Sequence, residues 1–100
     1  MPFIIETFDK PYHKAQRLAA RDAHLDFLEA SKALLLACGA KLDEAGDATG
    51  GLYIVDVESP AEAEAFIARD PFTEAGLFER VQVTRWRKAF LDGKGYLPPR

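Results

Sequence analysis

His24 and Asp70 are the two residues of this 100-residue chain whose types, taken together, suit acid–base chemistry. An imidazole exchanges protons near neutral pH, and a carboxylate on one ring nitrogen would fix the tautomer and aim the other nitrogen. Plotted at ~100° per residue, His24 shares an arc with Ala20, Phe27, Leu28, Ser31, Leu34 and Cys38, the spacing of a core-facing helical stripe. The middle of that arc is small or polar, where a purely structural helix favours Leu or Ile. Two readings follow: a half-buried histidine bonded to a backbone carbonyl, or a histidine looking into a hollow. Asp70 opens Asp70-Pro71-Phe72, a sequence that also commonly ends a helix and begins a turn.

The elements that must position these residues can be read in order. Phe3 to Phe8 is a strand with apolar residues on both faces, closed by Asp9-Lys10-Pro11. A long helix is predicted from Lys14 to Gly39, then a short edge strand over Lys41 to Ala45. Gly46 to Gly51 reads as a turn, and Leu52 to Val57 as a strand covered on both sides. Ser59-Pro60-Ala61-Glu62 has the cap, proline and acidic residue of a helix start. That helix buries Ala63, Phe66 and Ile67 and stops at Asp70, because Pro71 disfavours helical backbone before it. Thr73 to Phe78 is a loop or one helical turn, Glu79 to Arg87 a half-exposed strand, and 89–100 a loosely packed tail that could lie on a second subunit.

The order β-α-β-β-α-β predicts an α+β, ferredoxin-like fold within a single domain, residues 1–100. Its four-stranded antiparallel sheet carries both helices on one face, with the first and third strands central. Two helices cover only one face, so the apolar residues on the other predict a homodimer packed sheet to sheet.

Composition narrows the function. Sixteen acidic against thirteen basic residues argue against a general attraction to nucleic acid or an anionic membrane. The strand order also describes RNA-recognition domains, but the third strand offers only Tyr53 and no basic residue. The longest apolar run, Ala33 to Cys38, is far short of the ~20 residues of a membrane span. The N-terminal residues lack the basic region and cleavage site of a secretory signal, so a cytoplasmic location is expected. Two histidines, His13 and His24, and the lone Cys38 have no metal-ligand spacing, so no metal or cofactor is expected. Cys38 reads as an inert core thiol. Gly50-Gly51 is followed by a strand, not by the helix that a phosphate loop requires. Arg17 and Arg21 precede His24 on the helix and either hold an anionic substrate or are solvated or paired with Asp22 or a partner carboxylate. Phe72 and Trp86 either wall a pocket or fill the core.

Several pieces together resemble the YciI-like family of the dimeric α/β-barrel superfamily. They are Phe3-Ile4-Ile5, Arg17-x-x-x-Arg21-x-x-His24-Leu25, Gly50-Gly51-Leu52-Tyr53-Ile54-Val55, Ser59-Pro60-Ala61-Glu62-Ala63, and Asp70-Pro71-Phe72 with Gly76-Leu77. The resemblance spans nearly the whole chain. It implies a ferredoxin-like fold, dimerisation, and an active site built on His24 and Asp70 for acid–base chemistry of a lyase or elimination type. The expected function is therefore a small cofactor-independent enzyme acting on a small polar or aromatic substrate. The alternative is a non-catalytic dimeric module that binds a small ligand or serves assembly.

Overall fold

The computed structural model describes all residues, 1–100. Strand β1 (Phe3–Asp9) leads through a short turn into helix α1 (Lys14–Ala30), followed by a single 3-10 turn at Lys32–Leu34. Strands β2 (Leu35–Leu42) and β3 (Ala48–Val55) form a hairpin. Helix α2 (Pro60–Ala68), the one-turn helix α3 (Pro71–Glu74) and strand β4 (Phe78–Arg85) complete the domain. The tail adds a small ribbon, β5 (Phe90–Leu91) with β6 (Lys94–Gly95).

The four-stranded antiparallel sheet has the order β2-β3-β1-β4, with the first and third strands central as the sequence predicts. Alternation along β1 sends Phe3, Ile5 and Thr7 to the helix side, where all three are buried. Their partners in β3 are Val55, Tyr53 and Gly51. The core joins these strand residues to Ala63, Phe66 and Ile67 of α2, the three residues predicted for that helix. Helix α2 starts as its sequence requires: Ser59 accepts the Glu62 N–H at 3.2 Å and Pro60 fills the first position.

Helix α1 differs from expectation. It ends at Ala30, not Gly39, and the segment predicted to finish it becomes the 3-10 turn and the edge strand β2. The short polar strand expected over Lys41 to Ala45 is therefore an eight-residue strand starting at Leu35. Helical periodicity persisted past Ala30 only because Ala33 to Cys38 is continuously apolar, and such a run matches any period. Pairing decides the matter: Leu35 sits opposite Val55 and Cys38 opposite Tyr53. Cys38 is consequently an exposed residue of an edge strand and no part of the core. The Gly50-Gly51 pair, expected in a turn, lies inside β3. A side chain at Gly50 would press on the Thr7 carbonyl oxygen of the neighbouring strand, so this crossing admits only glycine.

The face of the sheet away from the helices carries half-buried Ile4, Phe8 and Ile54, with Leu52 39% exposed. Lys41 and Arg80 lie over the Phe8 ring at 3.5 and 4.1 Å. The chain measures 49 × 30 × 22 Å along its principal axes, and its tail leaves Phe90, Tyr96 and Leu97 exposed. No helix is long and apolar enough to cross a membrane.

Candidate active site

Asp70 ends α2 and caps α3. Because Pro71 follows, its backbone is extended (φ −64°, ψ 129°), which turns the carboxylate back over the start of α3. There Oδ1 accepts the Phe72 backbone N–H at 2.9 Å. Helix α3 packs on α1, and this contact brings Asp70 to His24, 46 residues away in the chain. His24 Nδ1 lies 2.9 Å from both Asp70 oxygens. The Tyr53 hydroxyl donates to Oδ2 at 2.8 Å. Asp70 is wholly buried, and its charge is met by donors from a helix, a strand and its own cap.

A carboxylate can only accept, so the neutral imidazole carries its proton on Nδ1 and keeps a lone pair on Nε2. His24 is the one buried residue of α1, yet Nε2 has no protein partner while no fully buried polar side-chain atom is unpartnered. Nε2 therefore meets the adjacent cavity, about 250 Å³ in volume, whose wall includes His24. The cavity lies between α1 and the sheet. Its helix side includes Arg17, Arg21 and Leu28; its sheet side is small at Ala40, Gly50 and Gly51, with Cys38 and Tyr53 as the larger residues. The arrangement can take a proton from, or give one to, a small molecule seated on that floor.

The other predicted residues divide. Phe72 is 1% exposed and stacks on His24, with ring centroids 3.9 Å apart and planes at 15°. It supports the imidazole more than it walls the cavity. Arg17 lies 4.7 Å from the other aromatic partner of that stack, the Phe72 ring. Its Nε donates to Asp9 at 2.7 Å and a terminal nitrogen to the Gly50 carbonyl at 3.3 Å. Asp9, not Asp22, is thus its partner. Arg21 is exposed and reaches the cavity wall. Trp86 is half-buried and away from the site.

Tyr53 is the site residue that sequence reasoning missed. Alternation in β3 places it on the helix side, and a buried phenol needs a partner; that requirement was the available signal. Burial first, then the charge of Asp70 and the hydrogen bond to it, hold the hydroxyl protonated far above the usual tyrosine range. Tyr53 remains a donor to Asp70 at any physiological pH. Cys38 is exposed as a residue on the edge strand, but its thiol is partly enclosed by neighbouring atoms. That partial burial and, less strongly, the same Asp70 charge push it up to about 11. An ordinary thiol titrates near ~8.5, so at pH 8 Cys38 has the smaller thiolate fraction, partly offset by the greater nucleophilicity of a high-pKa thiolate. It should therefore react with a disulfide reagent roughly tenfold more slowly than free cysteine. The rate should climb as pH rises towards 11. A rate at pH 8 equal to that of free cysteine would contradict this account.

A helix-borne histidine held by a buried aspartate beside an open cavity, on a ferredoxin-like sheet, defines a class: small α+β domains whose structural neighbours are of the dimeric α/β-barrel type. Within that class the chain belongs to the YCII-related domain family, which matches residues 1–87. It is 33% identical to Protein YciI of Escherichia coli, over 90% of this chain and 100% of that one. An uncharacterised protein of Haemophilus influenzae is 32% identical over the same shares. Among solved structures it is similar to 5-chloro-2-hydroxyhydroquinone dehydrochlorinase (TftG) from Burkholderia phenoliruptrix, solved with 2,5-dihydroxybenzoquinone. That similarity has a TM-score of 0.80 and 37% identity, covering 87% of this chain and 94% of the other. A putative antibiotic biosynthesis monooxygenase of Bacteroides shares the fold alone, at TM-score 0.57 and 12% identity.

Proposed function

We propose that this chain is a small lyase of the elimination type, with His24 as its general base and acid and Asp70 as the group that orients it. The observation carrying this reading is the His24–Asp70 contact at 2.9 Å with Nε2 turned to a cavity. In the forward step Nε2 takes a proton from the substrate. The electron pair left behind moves into the neighbouring bond as the bond to the leaving group breaks, and the leaving group departs as an anion. One proton and one anion are lost in total. The imidazolium formed places its Nδ1–H against the Asp70 carboxylate, which offsets the new charge. Proton transfer of this kind calls on side chains alone, with no cofactor.

The similarity to a dehydrochlorinase bound to a dihydroxybenzoquinone supports a small hydroxylated ring as substrate. The test is chloride release from chlorinated hydroxyhydroquinones, by wild type and by His24→Gln. Release that depends on His24 supports the enzyme. Saturable binding of the ring without product, indifferent to His24, would assign the non-catalytic module instead.

The second part of the reading is assembly. The half-buried Ile4, Phe8 and Ile54 and exposed Leu52 support a homodimer through the open sheet face. Light scattering at micromolar concentration should give a mass twice that of the 11.1 kDa chain, and Leu52→Glu should halve it. A monomeric wild type would end this part of the proposal and leave the His24 chemistry to its own test.

A further inference from the structure

The cavity is electrically graded from bottom to mouth. Asp70 lies beneath it, fully buried, and its negative charge is felt at Cys38 on the sheet wall. Arg17 adds little free positive charge, because Asp9 holds it at 2.7 Å and the Gly50 carbonyl at 3.3 Å. Arg21 is different. It lines the same cavity, yet no carboxylate lies within 4.0 Å of its guanidinium and it makes no hydrogen bond within the chain. An anionic group would be repelled from the Asp70 end and drawn to the Arg21 end. His24 lines the cavity with Arg21 and is the residue that touches Asp70.

Spacing adds a constraint on the ligand. Arg21 and His24 are three residues apart on α1 and share the wall of the cavity. Side chains so spaced start about 5–6 Å apart, comparable to the span of one substituted six-membered ring. On the facing sheet, Gly39, Ala40, Gly50 and Gly51 add no side chain larger than a methyl group, and the bulkier Cys38 and Tyr53 complete the wall. This leaves room for a flat molecule over the small residues.

We propose that Arg21 is the anion-recognition residue of this cavity, and that the substrate is a single ring bearing an ionised oxygen, a phenolate, enolate or carboxylate, held across the ring from the position that reacts at His24. This inference rests on the cavity being the substrate site, as proposed above. Arg21 grips the ionised oxygen with two parallel N–H groups, a geometry that guanidinium supplies and ammonium does not. The ring is thereby turned so that its proton-bearing edge meets Nε2.

Calorimetry with two probes tests the assignment: 2,5-dihydroxybenzoquinone, which is ionised at neutral pH, and hydroquinone, which is neutral. Arg21→Gln should weaken binding of the ionised probe roughly tenfold or more and leave the neutral probe unchanged. His24→Gln should retain the preference of wild type for the ionised probe. Equal affinity of wild type and Arg21→Gln for that probe, or no binding of it by wild type, overturns the proposal. Arg21 is exposed, so its variant is expected to fold, and circular dichroism checks this. The two proposals fail separately. Arg21-dependent binding with no His24-dependent turnover sinks the elimination chemistry and keeps the anion site; the reverse pattern sinks the anion site alone.

Discussion

His24→Gln is expected to lower kcat for the elimination by about 10²–10⁴-fold while the protein stays folded. Glutamine fills similar space and can still donate one amide N–H towards Asp70, but it has no basic nitrogen to present to the cavity. Asp70 would keep two of its donors, the Tyr53 hydroxyl at 2.8 Å and the Phe72 N–H at 2.9 Å, so the buried carboxylate is not stranded. Phe72 would lose the aromatic partner now stacked at 3.9 Å, a modest cost in packing. Kinetics and a thermal melt on the same preparation separate these effects. Turnover within a factor of two of wild type would remove His24 from the mechanism, whatever the melt shows.

Asp70 carries the second large effect, and two substitutions divide its roles. Asp70→Ala removes every acceptor from a fully buried position and leaves the Tyr53 hydroxyl, the Phe72 N–H and the His24 ring unpaired. Each buried donor left without a partner costs about 1–3 kcal/mol, and three are stranded together here. For a domain of this size each kcal/mol lowers Tm by roughly 4–8 °C, so a fall of well over ~10 °C is expected. Asp70→Asn keeps the shape and one acceptor oxygen, which can still cap α3 at Phe72. Its amide nitrogen, however, meets a second donor at His24 or Tyr53, and the ring loses the carboxylate that selects its tautomer. Activity should then fall by about 10²-fold or more with a much smaller change in Tm. The Cys38 thiol should also become more reactive in this variant, because one of the two causes that raise its pKa is gone. Full activity in Asp70→Asn would show that the carboxylate is structural only.

The parts of the fold that were legible in the sequence are those whose signal is local. Alternation in Phe3 to Phe8 and Leu52 to Val57 identified both central strands, since side chains of a strand point to opposite faces whatever lies beyond them. Ser59, Pro60 and Glu62 identified the start of α2 because capping is a contact between near neighbours. The stripe around His24 identified its inward face, and Pro71 identified the extended backbone of Asp70. What failed was the end of α1. The apolar run after Ala30 fits helix and strand alike, and only pairing with β3 chooses between them.

The sequence by itself singled out His24 and Asp70 as the pair suited to acid–base chemistry, placed His24 on the inward face of its helix, and indicated that one sheet face would lack a cover within the chain. Only the tertiary structure decided that Asp70 meets His24, that Tyr53 completes the cluster, and that Asp9 claims Arg17 while Arg21 stays unpaired. The reason is physical. Propensity, capping and alternation act over a few residues, whereas these contacts join residues that are distant in the chain or on separate elements, and they depend on how far each element runs before it turns.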